Sequence, residues 1–334
     1  RDMHKSWGNA IWFDDAAEKM GVDVMRWMYA SQNPEHNLHF GYALADEVRK
    51  QLITLWNTYS FFVTYANLDN FDLSEPLRMD NLTKSDKWIR TKTNVFIQSA
   101  KEHYESFQVF RLMTEATELL DNLSNWYIRR NRRRFWKSEN DGDKNAAYHT
   151  LYSILMDFIK VMAPVIPFVT EKMYTNLSGP NHAHGNDSIH LCEYPLADDT
   201  LTYIDILNEI DTVIRIVSLG RSARNKANIK IRQPLAELAI YGNEDILKIA
   251  RDNQVEILEE LNIKSMNLIE KEAELVSFIV KPNFHLLGQK YGEDMNRITQ
   301  FIQKADPITL IGKINASQSI EINGEGKSLK ILPE

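Results

Sequence analysis

The chain has 334 residues, 43% of them hydrophobic, and its 46 acidic against 39 basic side chains give a formal net charge of −7. That length suits two or three domains with real cores, and the acidic balance excludes a nonspecific coat on nucleic acid, whose affinity grows with Lys and Arg contacts to phosphate. The single cysteine, Cys192, excludes an internal disulfide framework, and no apolar run reaches the roughly 20 residues that span a bilayer, so a cytoplasmic location is expected.

The first nine residues place Lys5 and Ser6 beside Gly8 and Asn9 ahead of a helix-like stretch at 14–26. An ammonium group flanked by small residues suits a loop that stabilises a polyphosphate while it is broken: the cation neutralises growing charge, and small residues let backbone N–H groups approach. The alternative is a solvated tail. Starting at Arg1 inside such a pattern, the chain reads as part of a longer protein.

Helical period dominates the next two hundred residues or so. Over 38–67, Leu44, Val48, Leu52, Leu55, Tyr59 and Phe62 recur at three- and four-residue steps, which predicts one amphipathic helix of about eight turns. The same pattern predicts helices over 86–104, 109–136 and 146–162, a new helix starting near Pro164, a loop over 181–187 and a long helix over 204–226. Beyond Pro234 the period changes. Strands are expected at 238–241, 265–269 and 275–280, helices at 244–261, 288–304 and 307–314, and a final pair of short strands at 319–322 and 328–331 joined through Asn323-Gly324.

Two basic segments stand out in an acidic protein. Arg129, Arg130, Arg132, Arg133 and Arg134 run together between Trp126-Tyr127 and Phe135-Trp136. Guanidinium groups fork onto phosphates and aromatic rings stack on unpaired bases, yet five arginines this close together on a helix spread over roughly 200° of circumference, so some should turn inward to carboxylates. Arg129 and Arg133 are the candidates for RNA, and the aromatic ends for helix packing. The second segment carries Arg215, Arg221, Arg224, Lys226, Lys230 and Arg232, with no acidic residue between Thr212 and Ala236. It reads either as a phosphate-tracking surface or as a solvated charged face, with 226–232 an exposed connector. His182, His184, His190 and Cys192 have metal-ligand types in a spacing that matches no zinc finger, so no metal site is expected.

In this order, the loop of Lys5 and Ser6, Leu55-Trp56-Asn57-Thr58-Tyr59, the run from Trp126 through Trp136, Ala163-Pro164-Val165-Ile166-Pro167, Arg232-Gln233-Pro234-Leu235 and Glu260-Leu261-Asn262-Ile263 resemble the carboxyl-terminal portion of the isoleucyl-tRNA synthetase family. The first segment is similar to the Lys-Met-Ser-Lys-Ser loop of class I aminoacyl-tRNA synthetases. Lys5 and Ser6 fit its second Lys and final Ser; Asp2 replaces the first Lys and His4 the first Ser. The charge reversal at Asp2 weakens attraction to nucleotide phosphates.

The resemblance implies a mainly α fold: the end of a catalytic core over 1–35, an anticodon-binding helical bundle over 36–235 and a small α/β domain over 236–334. It implies a complete, monomeric enzyme that joins isoleucine to tRNA(Ile) using ATP and Mg²⁺, with Lys5 at the ATP phosphates and Lys5 and Ser6 as catalytic residues. This chain alone is then expected to be inactive and to bind tRNA through Arg129, Arg133, Arg221, Arg224, Lys226, Lys230 and Arg232. The alternatives are a valyl or leucyl enzyme and a noncatalytic helical interaction module.

Overall fold

The computed structural model describes residues 6, 8, 10–137, 139, 141–179, 186–269, 280–322 and 329–331. It separates into two units, Arg1–Asp211 and Thr212–Glu334.

In the first unit the stretch expected as one helix is two, α1 (Phe13–Met20) and α2 (Val22–Ala30). Gly21 divides them at φ 87°, a backbone conformation that side-chain-bearing residues rarely adopt. α2 buries Val24, Met25, Trp27 and Met28. Its polar side serves the chain after α7 (Gly142–Met162). Arg26 donates to the carbonyls of Val165 and Pro164 at 2.8 and 2.7 Å, and Asp23 accepts the Val169 N–H at 2.7 Å. The next helix, α8 (Pro167–Leu177), therefore begins at Pro167 and not near Pro164, which lies in the turn closed by Val165 and Ile166 N–H on Met162 O. Proline at the first helical position loses no intrahelical bond.

The long helices form where apolar spacing places them: α3 (Tyr42–Leu68), α4 (Lys84–Glu105) and α7. Their facing stripes bring Leu55, Trp88, Ile89, Leu151 and Ile159 into a closed core, each such side chain contributing roughly 1.5–3 kcal/mol through burial. α4 opens with a capping box in which Thr83 and Asp86 each accept the other's backbone N–H, at 3.2 and 2.8 Å. Residues 109–136, expected as one α-helix, form α5 (Val109–Asp121), a π-helical segment (Asn122–Ile128) and α6 (Arg129–Trp136). The chain stays helical throughout, but the middle segment takes the wider i→i+5 bonding.

The helix α9 (Ile204–Lys226) matches its expected span and contains the boundary between the units. In the second unit β1 (Leu235–Tyr241) pairs in parallel with β2 (Ile263–Ile269), in a register running from Leu235 opposite Ile263 to Tyr241 opposite Ile269. A parallel pair needs a crossover, here α10 (Glu244–Asp252) and α11 (Gln254–Leu261). The single helix expected over 244–261 is broken at Asn253, whose side chain donates to the Ile249 carbonyl at 2.9 Å. Then come α12 (Phe284–Tyr291), α13 (Met295–Lys304) and α14 (Pro307–Asn315), a short 3₁₀ turn at Gly292–Asp294 splitting the helix expected over 288–304. The antiparallel pair β3 (Ile320–Ile322) and β4 (Leu329–Ile331) closes a small core of Ile298, Leu310, Ile320, Ile322 and Ile331.

The fold is thus mainly α with two small sheets among the described residues. The strand expected at 275–280 falls outside the described residues except for Val280, which is in no strand; the Asn323-Gly324 turn and residues 181–185 also lie outside them. No helix among the described residues is long and apolar enough to cross a membrane.

Candidate nucleic-acid interface

Lys5, with Asp2 and His4, lies outside the described residues. Ser6 and Gly8 are exposed, and Gly8 sits at φ 65°.

The arginine run divides by direction. Arg134 turns inward to the fully buried Asp86, donating from Nη1 and Nη2 at 2.8 and 2.9 Å. Tyr127 donates its hydroxyl to the same carboxylate at 2.6 Å, and the Thr83 hydroxyl does so at 2.8 Å. Burial opposes ionisation of Asp86, but Arg134, Tyr127 and Thr83 outweigh it and hold the carboxyl below its ordinary value of 3.8. Arg134 Nε lies 2.8 Å from Asp143 without forming a hydrogen bond there, so that contact is Coulombic. Asn131 ties the cluster to the helix backbone, donating to Tyr127 O and Ser85 Oγ. Arg134 is therefore the internal ion pair of the run.

The other arginines face outward or lie against the aromatic side chains. Arg130 stacks 5.1 Å from the centroid of the buried Trp126 ring, and Arg129 lies 6.0 Å from it while donating to Asn125 O at 2.8 Å. Arg129, Arg132, Arg133 and Trp136 are all exposed. Their spacing of three, four and seven residues puts them on one face of α6. Both aromatic ends are expected from sequence to pack; Trp126 does, but Trp136 remains 54% exposed.

In the second unit, the basic segment divides again. Arg224 is buried, and its two terminal nitrogens reach four carbonyls: Lys230 at 3.1 Å, Gln233 at 2.9 Å, Leu261 at 2.7 Å and Asn262 at 3.1 Å. A guanidinium so occupied offers nothing to phosphate, which corrects the expectation that Arg224 is an RNA contact. Its function is to fasten the connector after α9 to the end of α11. Arg224→Glu would put a carboxylate among those carbonyls. Arg221 is exposed and donates to Glu260 at 2.6 Å. Lys226, Lys230 and Arg232 are exposed on or beside the connector.

The inward pair had a sequence signal. Arg134 lies seven residues after the buried Tyr127 and three after Asn131, and Arg224 lies seven after the buried Val217, so each falls on the closed stripe of its helix. The exposed Trp136, by contrast, comes one residue after the core residue Phe135, a position that does not share its face. His182 and His184 lie outside the described residues, and among those described no group of three or more His, Cys, Asp or Glu is placed to hold a metal.

Residues 86–240 match the anticodon-binding domain of tRNA ligase, a span that includes both basic segments. Nearly the whole chain aligns with isoleucine–tRNA ligases: 38% identity over 334 residues with that of Clostridium novyi (97% of this chain, 31% of the relative), and 37% over 347 residues with that of Thermus thermophilus (99% and 32%). The chain belongs to the isoleucine–tRNA ligase family. It spans about a third of the length of the curated relatives it matches. The Dehalococcoides mccartyi (strain CBDB1) ligase is 40% identical over 267 residues, 79% of this chain and 26% of that protein. Among solved structures, a LeuRS–tRNA–LeuAMS ternary complex from Agrobacterium radiobacter K84 is 14% identical over 61% of this chain and 23% of its own, with a TM-score of 0.46, a likeness too distant to carry an argument.

Proposed function

We propose that this chain is the part of an isoleucine–tRNA ligase that grips the anticodon arm of tRNA(Ile). The observation that carries the reading is that exposed cations, Arg129, Arg133, Lys226, Lys230 and Arg232, fall inside the span matched by the anticodon-binding domain. Arg221 joins them if phosphate competes with Glu260 for its guanidinium. Arg224 supports the connector from inside.

The division into the end of a catalytic core over 1–35, a bundle over 36–235 and a small α/β domain over 236–334 belongs to this reading. The complete protein, a cytoplasmic monomer, attaches isoleucine to tRNA(Ile) with ATP and Mg²⁺. The exposed Ser6 and the positive-φ Gly8 fit a loop whose backbone approaches phosphate, and Lys5 is the residue that would neutralise charge on ATP there. ATP would supply the activated leaving group, and Lys5 and Ser6 are the residues that would hold its phosphates. This chain alone is expected to bind tRNA and not to charge it.

Salt-titrated binding to tRNA(Ile), tRNA(Val) and an isoleucine tRNA with an altered anticodon tests the reading. A preference for the first that is lost with the anticodon supports it, with log affinity falling linearly in log salt. Absence of any salt-dependent binding would replace it with a protein-interaction module.

A further inference from the structure

Trp136 stands apart from the other aromatic residues of its segment. Trp126, Tyr127 and Phe135 are closed inside the bundle, whereas Trp136 leaves 54% of its surface open. The ring is nevertheless held. Tyr65 of α3 lies 6.5 Å away between ring centroids, tilted by 45°, and the Arg132 guanidinium lies 5.9 Å from the indole centroid. Phe61 meets Phe135 edge-on at 5.1 Å, fixing α3 against this end of α6.

On α6 and the adjoining part of α3 the charge has one sign. Arg129, Arg132 and Arg133 share the face of Trp136, and α3 from Gln51 to Leu68 carries no charged residue. Of the carboxylates beyond α6, Asp141 and Asp143 are engaged by Lys137 at 2.7 and 2.9 Å, Asp143 also lies against Arg134, and Glu139 is exposed. A ligand here meets guanidinium groups and a half-exposed indole together. An acidic peptide or a duplex backbone uses the guanidinium groups alone. An unpaired nucleotide uses both, its base on the ring and its phosphates on the arginines.

We propose that Trp136, steadied by Tyr65 and Arg132, stacks on one unpaired base of the bound RNA while Arg129 and Arg133 take the flanking phosphates. This rests on the reading of the chain as a tRNA binder and adds where a splayed base goes. The site is a stacking platform without base-edge readout, so it tolerates any base identity.

The test compares the 334-residue chain with its Trp136→Ala, Trp136→Phe and Arg133→Gln variants, each checked for an unchanged melting temperature. Affinity is measured across a salt series for a tRNA and for a fully paired RNA duplex. Trp136→Ala is expected to weaken tRNA binding roughly 10-fold with an unchanged salt slope and to leave duplex binding alone, while Trp136→Phe retains most of the affinity. Arg133→Gln should lower the salt slope by about one on both RNAs. Wild-type affinity of Trp136→Ala for tRNA overturns the proposal, as does an equal loss on the duplex. A wild-type chain that binds no tRNA overturns the underlying reading instead, a result distinguishable because it precedes any variant.

Discussion

Arg134 and Asp86 meet through two parallel hydrogen bonds, 2.8 and 2.9 Å long, across 48 residues of chain and inside the helical core. The pair joins the first turn of α4 to α6, and the carboxylate has no exposure to water. Breaking one side of such a pair leaves a buried charge uncompensated, which typically costs about 3–5 kcal/mol. Asp86→Asn is therefore expected to reduce the urea-unfolding free energy of the first unit by that order, with Tyr127 and Thr83 also losing their charged acceptor. Because the folded pKa of Asp86 lies below its ordinary 3.8, its stabilisation is complete above about pH 4 and is lost as pH falls through the folded value. Urea titrations between about pH 7 and about pH 2 should show a wild-type loss that the Asn variant lacks.

Asp157 on α7 should behave in the opposite sense. Burial raises its carboxyl to about 6, against smaller opposing effects of Lys160 and Arg90. A raised folded pKa means that folding opposes ionisation, so stability is gained as pH falls from about 6 towards the ordinary 3.8 and is lost above it. Asp157→Asn is expected to stabilise the chain near neutral pH by roughly 1–3 kcal/mol and to flatten the pH dependence between about 4 and about 6. An unchanged melting temperature at neutral pH would refute the assignment of burial as the dominant influence.

Gly220 sits on α9 where an added methyl would come 2.5 Å from Cδ1 of Leu261, a side chain with no exposed surface in which to retreat. Ala favours the helix by about 1 kcal/mol over Gly, while overpacking costs about 1–3 kcal/mol. Gly220→Ala should thus be neutral to destabilising by up to about 2 kcal/mol, despite being a helix-favouring change. Thermal unfolding decides it; a clear rise in melting temperature would mean that Leu261 repacks freely.

The connector separates charge from support. Changing Lys226, Lys230 and Arg232 together to Gln should leave the melting temperature within about 1 °C, since surface changes of this kind shift stability little, and should reduce the salt slope of tRNA binding by about one per lost phosphate contact. Arg224→Lys keeps a cation but cannot reach four carbonyls, so it should lower stability by the order of 1–3 kcal/mol per buried acceptor left unpaired, read as a lower melting temperature. A slope change without destabilisation in Arg224→Lys would return Arg224 to the RNA surface.

Helix positions were readable because apolar residues repeat at the helical period, and α9 and the long α3 fall where that period puts them. What escaped was local and backbone-driven. Gly21 divides α1 from α2 through a positive φ, Asn253 interrupts α10 and α11 by bonding back to Ile249, and Pro167, not Pro164, starts α8 because Met162 O already holds the two preceding N–H groups. None of these alters the apolar pattern. The inward turn of some arginine was expected from crowding on the helix, and its partner, Asp86, lies on another element that sequence spacing does not connect to it. Arg224 looks like a surface residue by its charge, but its seven-residue step from Val217 puts it on the closed stripe of α9.

The π-helical segment at Asn122–Ile128 bears on how this region tolerates changes in chain length. A wide turn takes up one residue more than an α turn while the helix beyond it keeps its phase. Deleting a single residue there, with the turn tightening to α, would leave Arg134 aimed at Asp86 and Trp136 facing outward. The same deletion in α5 or within α6 would rotate the downstream part of the helix by about 100° and put a different arginine over the buried carboxylate. Related chains should therefore vary by one residue at this turn more readily than on either side of it.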